Sequence, residues 1–178
     1  MSAAPPDFVV FPAGPADDEA LARVHVTAWR ETYSGLLSDS YLSSMSPSAH
    51  ARWFHEALIR REDPDVILAA SDRGGLFGYA QAMASRRGAQ DEAEISTLYL
   101  LRSAQKRGAG LALVRGCARA MAARGCVSLV ISVLRDNVAA RGFYEHLGGL
   151  ADAPRPELGP GGVLHEVRYR WPDITALT

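Results

Sequence analysis

Apolar and polar positions recur along this chain with two different periods, and the changes of period divide it into elements. Phe8-Val-Val-Phe11 is a short apolar run closed by Pro12 and the Gly14-Pro15 turn, which reads as a strand. After an acidic start at Asp17 and Asp18, the residues Leu21, Val24, Ala28 and Ala22, Val26, Trp29, Tyr33 recur at helical spacing until Ser34-Gly35 interrupts them. Ser46-Pro47 joins an N-cap to a first-turn proline and opens a second helix running to about Arg61. Val66 to Ala70 and Leu76 to Met83 read as two strands around the Asp72-Arg-Gly-Gly75 turn, a hairpin.

The second half alternates more cleanly. Ala93 to Leu101 is a strand, Leu111 to Arg124 a helix that stops at Gly125, and Val127 to Leu134 a buried strand. Asn137 to Leu147 is a short helix halted by Gly148-Gly149, and Val163 to Trp171 a last strand. That order predicts an α/β or α+β domain whose central strands flank a crossover helix. No internal repeat or low-complexity tract interrupts it.

Composition narrows the class. The 178 residues suit one domain, and 48% apolar with 22% charged residues is ordinary for a globular protein and wrong for a disordered one. Nineteen Lys plus Arg against 20 Asp plus Glu leaves a net charge of -1, which argues against a broad nucleic-acid surface. A single basic pocket survives that argument: Lys106 is the only lysine, and Arg107 and Arg102 stand beside it. The N-terminus lacks the charged and apolar regions of a signal peptide, and the longest apolar stretch, Val127 to Leu134, is far short of the ~20 residues of a membrane span. A soluble, cytoplasmic protein without membrane partners is expected. Cys117 and Cys126 have neither CxxC nor zinc-finger spacing, and His50, His55 and His146 form no ligand set, so no metal is expected.

The stretch Glu94 to Leu113 carries the clearest chemistry. A strand, a loop holding Gly108 and Gly110, and then a helix can cradle phosphate, because backbone N–H groups at the helix start point at an anion along the helix dipole. A plain strand-to-helix turn needs the same two glycines. A Walker A loop fails, since Leu111-Ala112 follow Gly110, and a dinucleotide fingerprint fails because Leu113 stands where the third glycine belongs.

Gln105-x-x-Gly108-x-Gly110 is followed about thirty residues later by Asn137-x-x-Ala140-x-x-Phe143-Tyr144-x-x-Leu147-Gly148. This pair of motifs resembles the GNAT superfamily of N-acetyltransferases over roughly residues 92 to 150. Trp29-Arg30 and Tyr33-Ser34-Gly35-Leu36 also resemble a branch of it. Arg102 stands where the family often has proline, Ala104 where it often has an aromatic, and Lys106 where it often has glycine.

The resemblance implies a single GNAT domain over residues 1–178: a mixed, splayed sheet of roughly six to seven strands flanked by helices. Acetyl-CoA is the implied co-substrate. Gln105, Lys106, Arg107, Gly108, Ala109, Gly110 and Leu111 would hold its pyrophosphate. The backbone of Leu98, Tyr99 and Leu100 would bond the pantetheine arm as a neighbouring strand would, with the N–H near Leu100 on the oxyanion. Asn137 and Ala140 would meet the arm from the next helix, although Asn137 is also a plain N-cap.

Tyr144 matches the family's proton donor, a phenol with pKa near ~10 that can protonate a departing thiolate; packing beside Phe143 is the plainer role. Glu94 lies where several members carry a catalytic carboxylate, and alternation puts it on the face of Ser96 and Leu98; a solvated strand-end carboxylate is the plainer role. Trp29, Glu31 and Tyr33 are candidates for the acceptor wall, though Trp29 and Tyr33 at i, i+4 also suit core packing. His25 and His165 are read as structural or surface residues. The implied reaction is direct transfer of acetyl to a primary amine of a small molecule, peptide or protein, without an acyl-enzyme. An acyl-CoA-binding sensor or partner module without turnover is the alternative. Family members are often dimers, so a homodimer is an expectation.

Overall fold

The computed structural model describes residues 6–60, 65–86, 88–160 and 162–178. The first five residues of the N-terminus and Arg61, at the expected end of the second helix, lie outside the described residues. The frame is an eight-stranded mixed sheet. Its strands are β1 (Val9–Pro12), β2 (Val66–Asp72), β3 (Gly75–Ala84), β4 (Glu92–Leu100), β5 (Ser128–Leu134), β6 (Leu150–Ala151), β7 (Arg155–Gly159) and β8 (Gly162–Trp171). They lie in the order β1-β2-β3-β4-β5-β8-β6, with β7 also on β8, and every neighbouring pair is antiparallel except β4 with β5.

The helices are α1 (Asp18–Tyr33), α2 (Asp39–Ser44), α3 (Pro47–Ile59), α4 (Ala109–Ala122) and α5 (Val138–His146). Their apolar faces explain where they sit. Leu113, Val114, Cys117, Ala118 and Met121 recur every three or four residues on α4 and bury against Leu68, Ala80 and Ile95 of the sheet. Phe143, Tyr144 and Leu147 bring α5 to the same face. Leu21, Ala22 and Val24 of α1 join Phe54 and Ala57 of α3 on the other face, against Ile67, Ala69 and Tyr79. Successive residues of β2 therefore enter opposite cores, which is why Val66 to Ala70 is an unbroken buried run. The Ser46 side chain accepts a hydrogen bond from the Ala49 N–H at 3.3 Å, and Pro47 occupies the first turn of α3, as expected from that pair.

The strands and long helices read from the pattern are present, and three short elements are additional. α2 is capped by Ser38 accepting from the Tyr41 N–H, while β6 and β7 are created by pairing with β8. A strand of two exposed residues such as β6 leaves no periodicity to read. Both cysteines are buried free thiols, and burial pushes Cys117 up to about 12. Among the described residues, no helix is long and apolar enough to cross a membrane.

The register of β3 on β4 corrects one expectation. Gln81 pairs with Thr97 but Ala82 pairs with Ile95, so Ser96 is an inserted bulge residue. Ile95 then shares the α4 face with Leu98 and Leu100, and Glu94 falls on the opposite face with Thr97 and Tyr99, not with Ser96 and Leu98. Simple alternation fails there because one extra residue inverts the parity.

Leu113 is fully buried at the centre of the α4 stripe. Leu113→Ala is expected to destabilise the protein by about 2–5 kcal/mol, measured as a lower urea midpoint at an unchanged slope.

Candidate active site

β4 and β5 are paired from Glu92 opposite Ser128 to Ile95 opposite Ile131, and the ladder ends there. Beyond that point Ser96–Leu100 and Ile131–Leu134 form the two walls of a cavity of about 730 Å³. The bulge at Ser96 sits where the parting begins, and such bulges bend and twist the strand that carries them. The Leu101 N–H donates to Phe77 O across to β3 at 2.9 Å. By strand alternation, the backbone groups of Leu98 and Leu100 therefore face the opposite edge, toward the gap. Buried backbone groups require partners. An extended ligand carrying amides can supply them, as a missing strand would.

The floor at the end of β4 is the glycine loop. Gln105 folds back, its side-chain amide donating to Leu100 O at 3.3 Å, and so closes the loop onto the strand. Lys106 and Gly108 both have left-handed backbone, with φ of 61° and 87°. Gly108 is the N-cap of α4, without a side-chain cap on the helix. The first N–H groups of a long helix thus meet the cavity at Gly108, Gly110 and Leu111. Gly110 has no room to spare: a Cβ there would lie 3.3 Å from Leu100 Cδ1 and 3.4 Å from Phe143 Cζ.

α5 forms the facing side, where Asn137, Ala140 and Tyr144 all line the cavity. Asn137 also caps its helix, accepting from the Ala140 N–H at 3.2 Å, so the two roles considered for it are compatible. Tyr169 OH donates to Glu145 at 2.6 Å and the Trp171 indole donates to Leu147 O at 2.9 Å, holding α5 on β8. Tyr144 is buried among Phe143, Tyr169 and Trp171, and burial, then the neighbouring Tyr33, raises its phenol above the ordinary range.

A further wall comes from α1. Trp29, Glu31 and Tyr33, the candidates for the acceptor wall, line the cavity, and Trp29 and Tyr33 also pack edge to face at 4.9 Å. Tyr33 and Tyr99 share a hydroxyl hydrogen bond of 2.9 Å. The Glu31 carboxylate accepts the Arg102 N–H at 2.7 Å, tying α1 to the turn after β4. Behind this wall His25 is half-buried, its Nδ1 within 2.6 Å of Tyr79 OH and its ring 4.7 Å from that of His50. Burial, helped by His50, lowers it to about 3.

Three expected site residues stand outside the lining. Glu94 lies in the still-paired part of β4, beside Val130 and Met83. Ala109 is buried in the core below the helix start. Arg107 turns away from the cavity to Asp7 and Asp72, so the positive lining of the loop comes from Lys106 and Arg102. Sequence reasoning missed the β7–β8 wall, where Glu157, Leu158 and Glu166 line the cavity; the Gly159-Pro160 and Gly161-Gly162 run was its one signal, a hairpin turn. Among the described residues, no group of His, Cys, Asp and Glu is placed to hold a metal ion.

Residues 26–149 match the Acetyltransferase (GNAT) family, and the chain belongs to that family. The uncharacterized N-acetyltransferase YuaI of Bacillus subtilis (strain 168) is 30% identical over 163 residues, covering 90% of this chain and 91% of its own. The crystal structure of PaiA N-acetyltransferase from Thermoplasma acidophilum in complex with coenzyme A superposes with a TM-score of 0.71 at 20% identity, over 92% of this chain and 99% of that one. Ribosomal-protein-alanine N-acetyltransferase from Brucella melitensis superposes with a TM-score of 0.72 at 19% identity, over 92% and 98%. At those identities the likeness establishes the fold.

His25 gives a test of the wall. Its folded pKa lies below its unfolded value near ~6.5, so the unfolded chain takes up the proton first and stability falls as pH drops below that value. Between pH 7 and 5 the wild type is expected to lose about 1–2 kcal/mol more stability than His25→Gln, measured by chemical denaturation at both values.

Proposed function

We propose that the protein transfers the acetyl group of acetyl-CoA directly to a primary amine, with Tyr144 as the general acid. The observation that carries this reading is the parting of β4 from β5 beside the start of α4, with Tyr144 lining the same cavity. Bound acetyl-CoA supplies the thioester. Backbone N–H groups from Gly108 to Leu111 would hold its phosphates, and the open edge at Leu98 and Leu100 would align its arm. Tyr144, kept protonated by burial, delivers a proton to the departing sulfur.

An alkylammonium near pKa ~10.4 is neutral about once in 10³ at pH 7, so a proton acceptor matters. Glu94 would act through water, from below the parting of the strands. A second reading for the base is Glu166, because Glu166 lines the cavity and Glu94 does not. The acceptor is a cationic amine: the aromatic wall of Trp29, Tyr33 and Tyr99 faces a hairpin carrying Glu157 and Glu166.

Thiol release from acetyl-CoA across diamines, amino acids and peptides tests the assignment. Turnover with diamines exceeding that with amino acids is the expected result; tight binding of acetyl-CoA without turnover would instead support the sensor module. Tyr144→Phe is expected to lower kcat by roughly 10²-fold with a smaller change in the KM for acetyl-CoA. The rate should rise with pH to about 9 as the amine loses its proton, with no decline from the phenol in that range. Glu94→Gln and Glu166→Gln separate the two bases, since the true one changes that pH profile.

A further inference from the structure

Arg107 lies between the two left-handed residues of the cofactor loop, and one of them, Lys106, is not glycine. Among the described residues, Lys106 is the non-glycine position with positive φ, a conformation in which a Cβ crowds the backbone. Such a residue persists where its surroundings over-determine it. The Gln105 side chain fixes the start of the loop on Leu100 O. The Arg107 side chain is held from the other side.

Arg107 Nη1 lies 2.9 Å from Asp72 Oδ2, and its Nη2 lies 2.9 Å from Asp7 Oδ2. Its guanidinium sits 5.2 Å from the centre of the Phe77 ring, which packs edge to face on Phe8 at 6.1 Å. Asp72 is itself fixed, accepting the Gly74 N–H at 2.8 Å in the β2–β3 turn. The two arms are unequal. The Asp72 side chain is 24% exposed and that of Asp7 is 76%, so Asp72 is the anchor and Asp7 the weaker, salt-screened arm. A planar fork that engages two carboxylates while lying over a ring is a geometry lysine cannot copy.

We propose that Arg107 is a positioning residue, a latch that holds the Lys106–Gly108 turn in its binding shape by tying it to Asp72 and Asp7. The inference rests on the acetyl-CoA reading. A preorganised loop presents its N–H groups without first having to order them, so the latch acts on affinity for the phosphates and not on the acetyl-transfer step.

Calorimetric titration of the full chain with coenzyme A tests it. Arg107→Ala and Asp72→Asn are each expected to weaken binding by roughly tenfold, and Asp7→Asn by about twofold. Asp72→Asn keeps the acceptor for the Gly74 N–H, so the turn itself survives. Because Lys106 also lines the cavity, the comparison is made in the Lys106→Gly background: adding Arg107→Ala there is expected to weaken binding by no more than about twofold, since glycine adopts positive φ freely. In the ligand-free protein, amide exchange over 106–111 should quicken in Arg107→Ala and slow again in that double variant. KM for acetyl-CoA should rise by more than kcat falls.

If Arg107 instead touched phosphate directly, Asp72→Asn would leave affinity unchanged or improve it, and Arg107→Ala would cost as much in the Lys106→Gly background as in the wild type; either result overturns the latch. Wild-type affinity in Arg107→Ala overturns it too. A wild-type protein that binds no coenzyme A overturns the acetyl-CoA reading and the latch together, while binding by the wild type with no effect of these variants removes the latch alone.

Discussion

Past Ile95 and Ile131 the two central strands stop pairing, and much of the site follows from that break. Parallel strands inside an α/β domain are ordinarily bonded along their length, because their peptide groups have no water to turn to. Here a stretch of β4 edge is left facing a cavity, and the bulge at Ser96 marks where the strand bends away. That edge has the geometry of a strand without its neighbour. α4 crosses from the end of β4 to the start of β5, so its N-terminus is delivered to the mouth of the same gap. One topological fact thus sets an open strand edge and a helix N-terminus side by side.

The cores on the two faces hold the gap open from opposite sides. α4 and α5 pack together on one face through Gly110, Phe143 and Leu100, where a methyl group would press its neighbours back by a few tenths of an ångström. α1 and α3 close the other face with an aromatic cluster that includes Tyr33, Tyr79 and Tyr99. Tyr144 and the α1 wall therefore approach the cavity on rigid elements, which suits groups that must be placed to fractions of an ångström. The cofactor loop differs. It contains a left-handed lysine and owes its shape to charges near the opposite edge of the sheet, on the β2–β3 turn and before β1.

Much of this was legible in the sequence because local signals and global structure agree. The Gln105 to Gly110 loop and the Asn137 to Tyr144 helix occur where their patterns predicted, and Gln105, Lys106, Gly108, Gly110, Asn137 and Tyr144 all reach one cavity. What failed did so for identifiable reasons. Glu94 was assigned to the wrong face because period-two alternation cannot foresee an inserted residue. The family resemblance puts Arg107 in the phosphate cradle, whereas Asp7 and Asp72, 100 and 35 positions earlier in the chain, hold its side chain. β6, β7 and the Glu157–Glu166 wall carry little pattern of their own, since they exist through pairing with β8.

The division has a physical basis. Sequence by itself determined what depends on neighbours along the chain: the periods of strand and helix, the caps at Ser46 and Asn137, the glycines that permit a tight loop, and the family to which these motifs point. Tertiary structure decided what depends on neighbours across space: where the β4–β5 ladder ends, which face Glu94 takes, how far burial raises Tyr144 and lowers His25, and which carboxylates hold Arg107. Pairing, burial and charge are set by residues distant in the chain, and no local pattern encodes them.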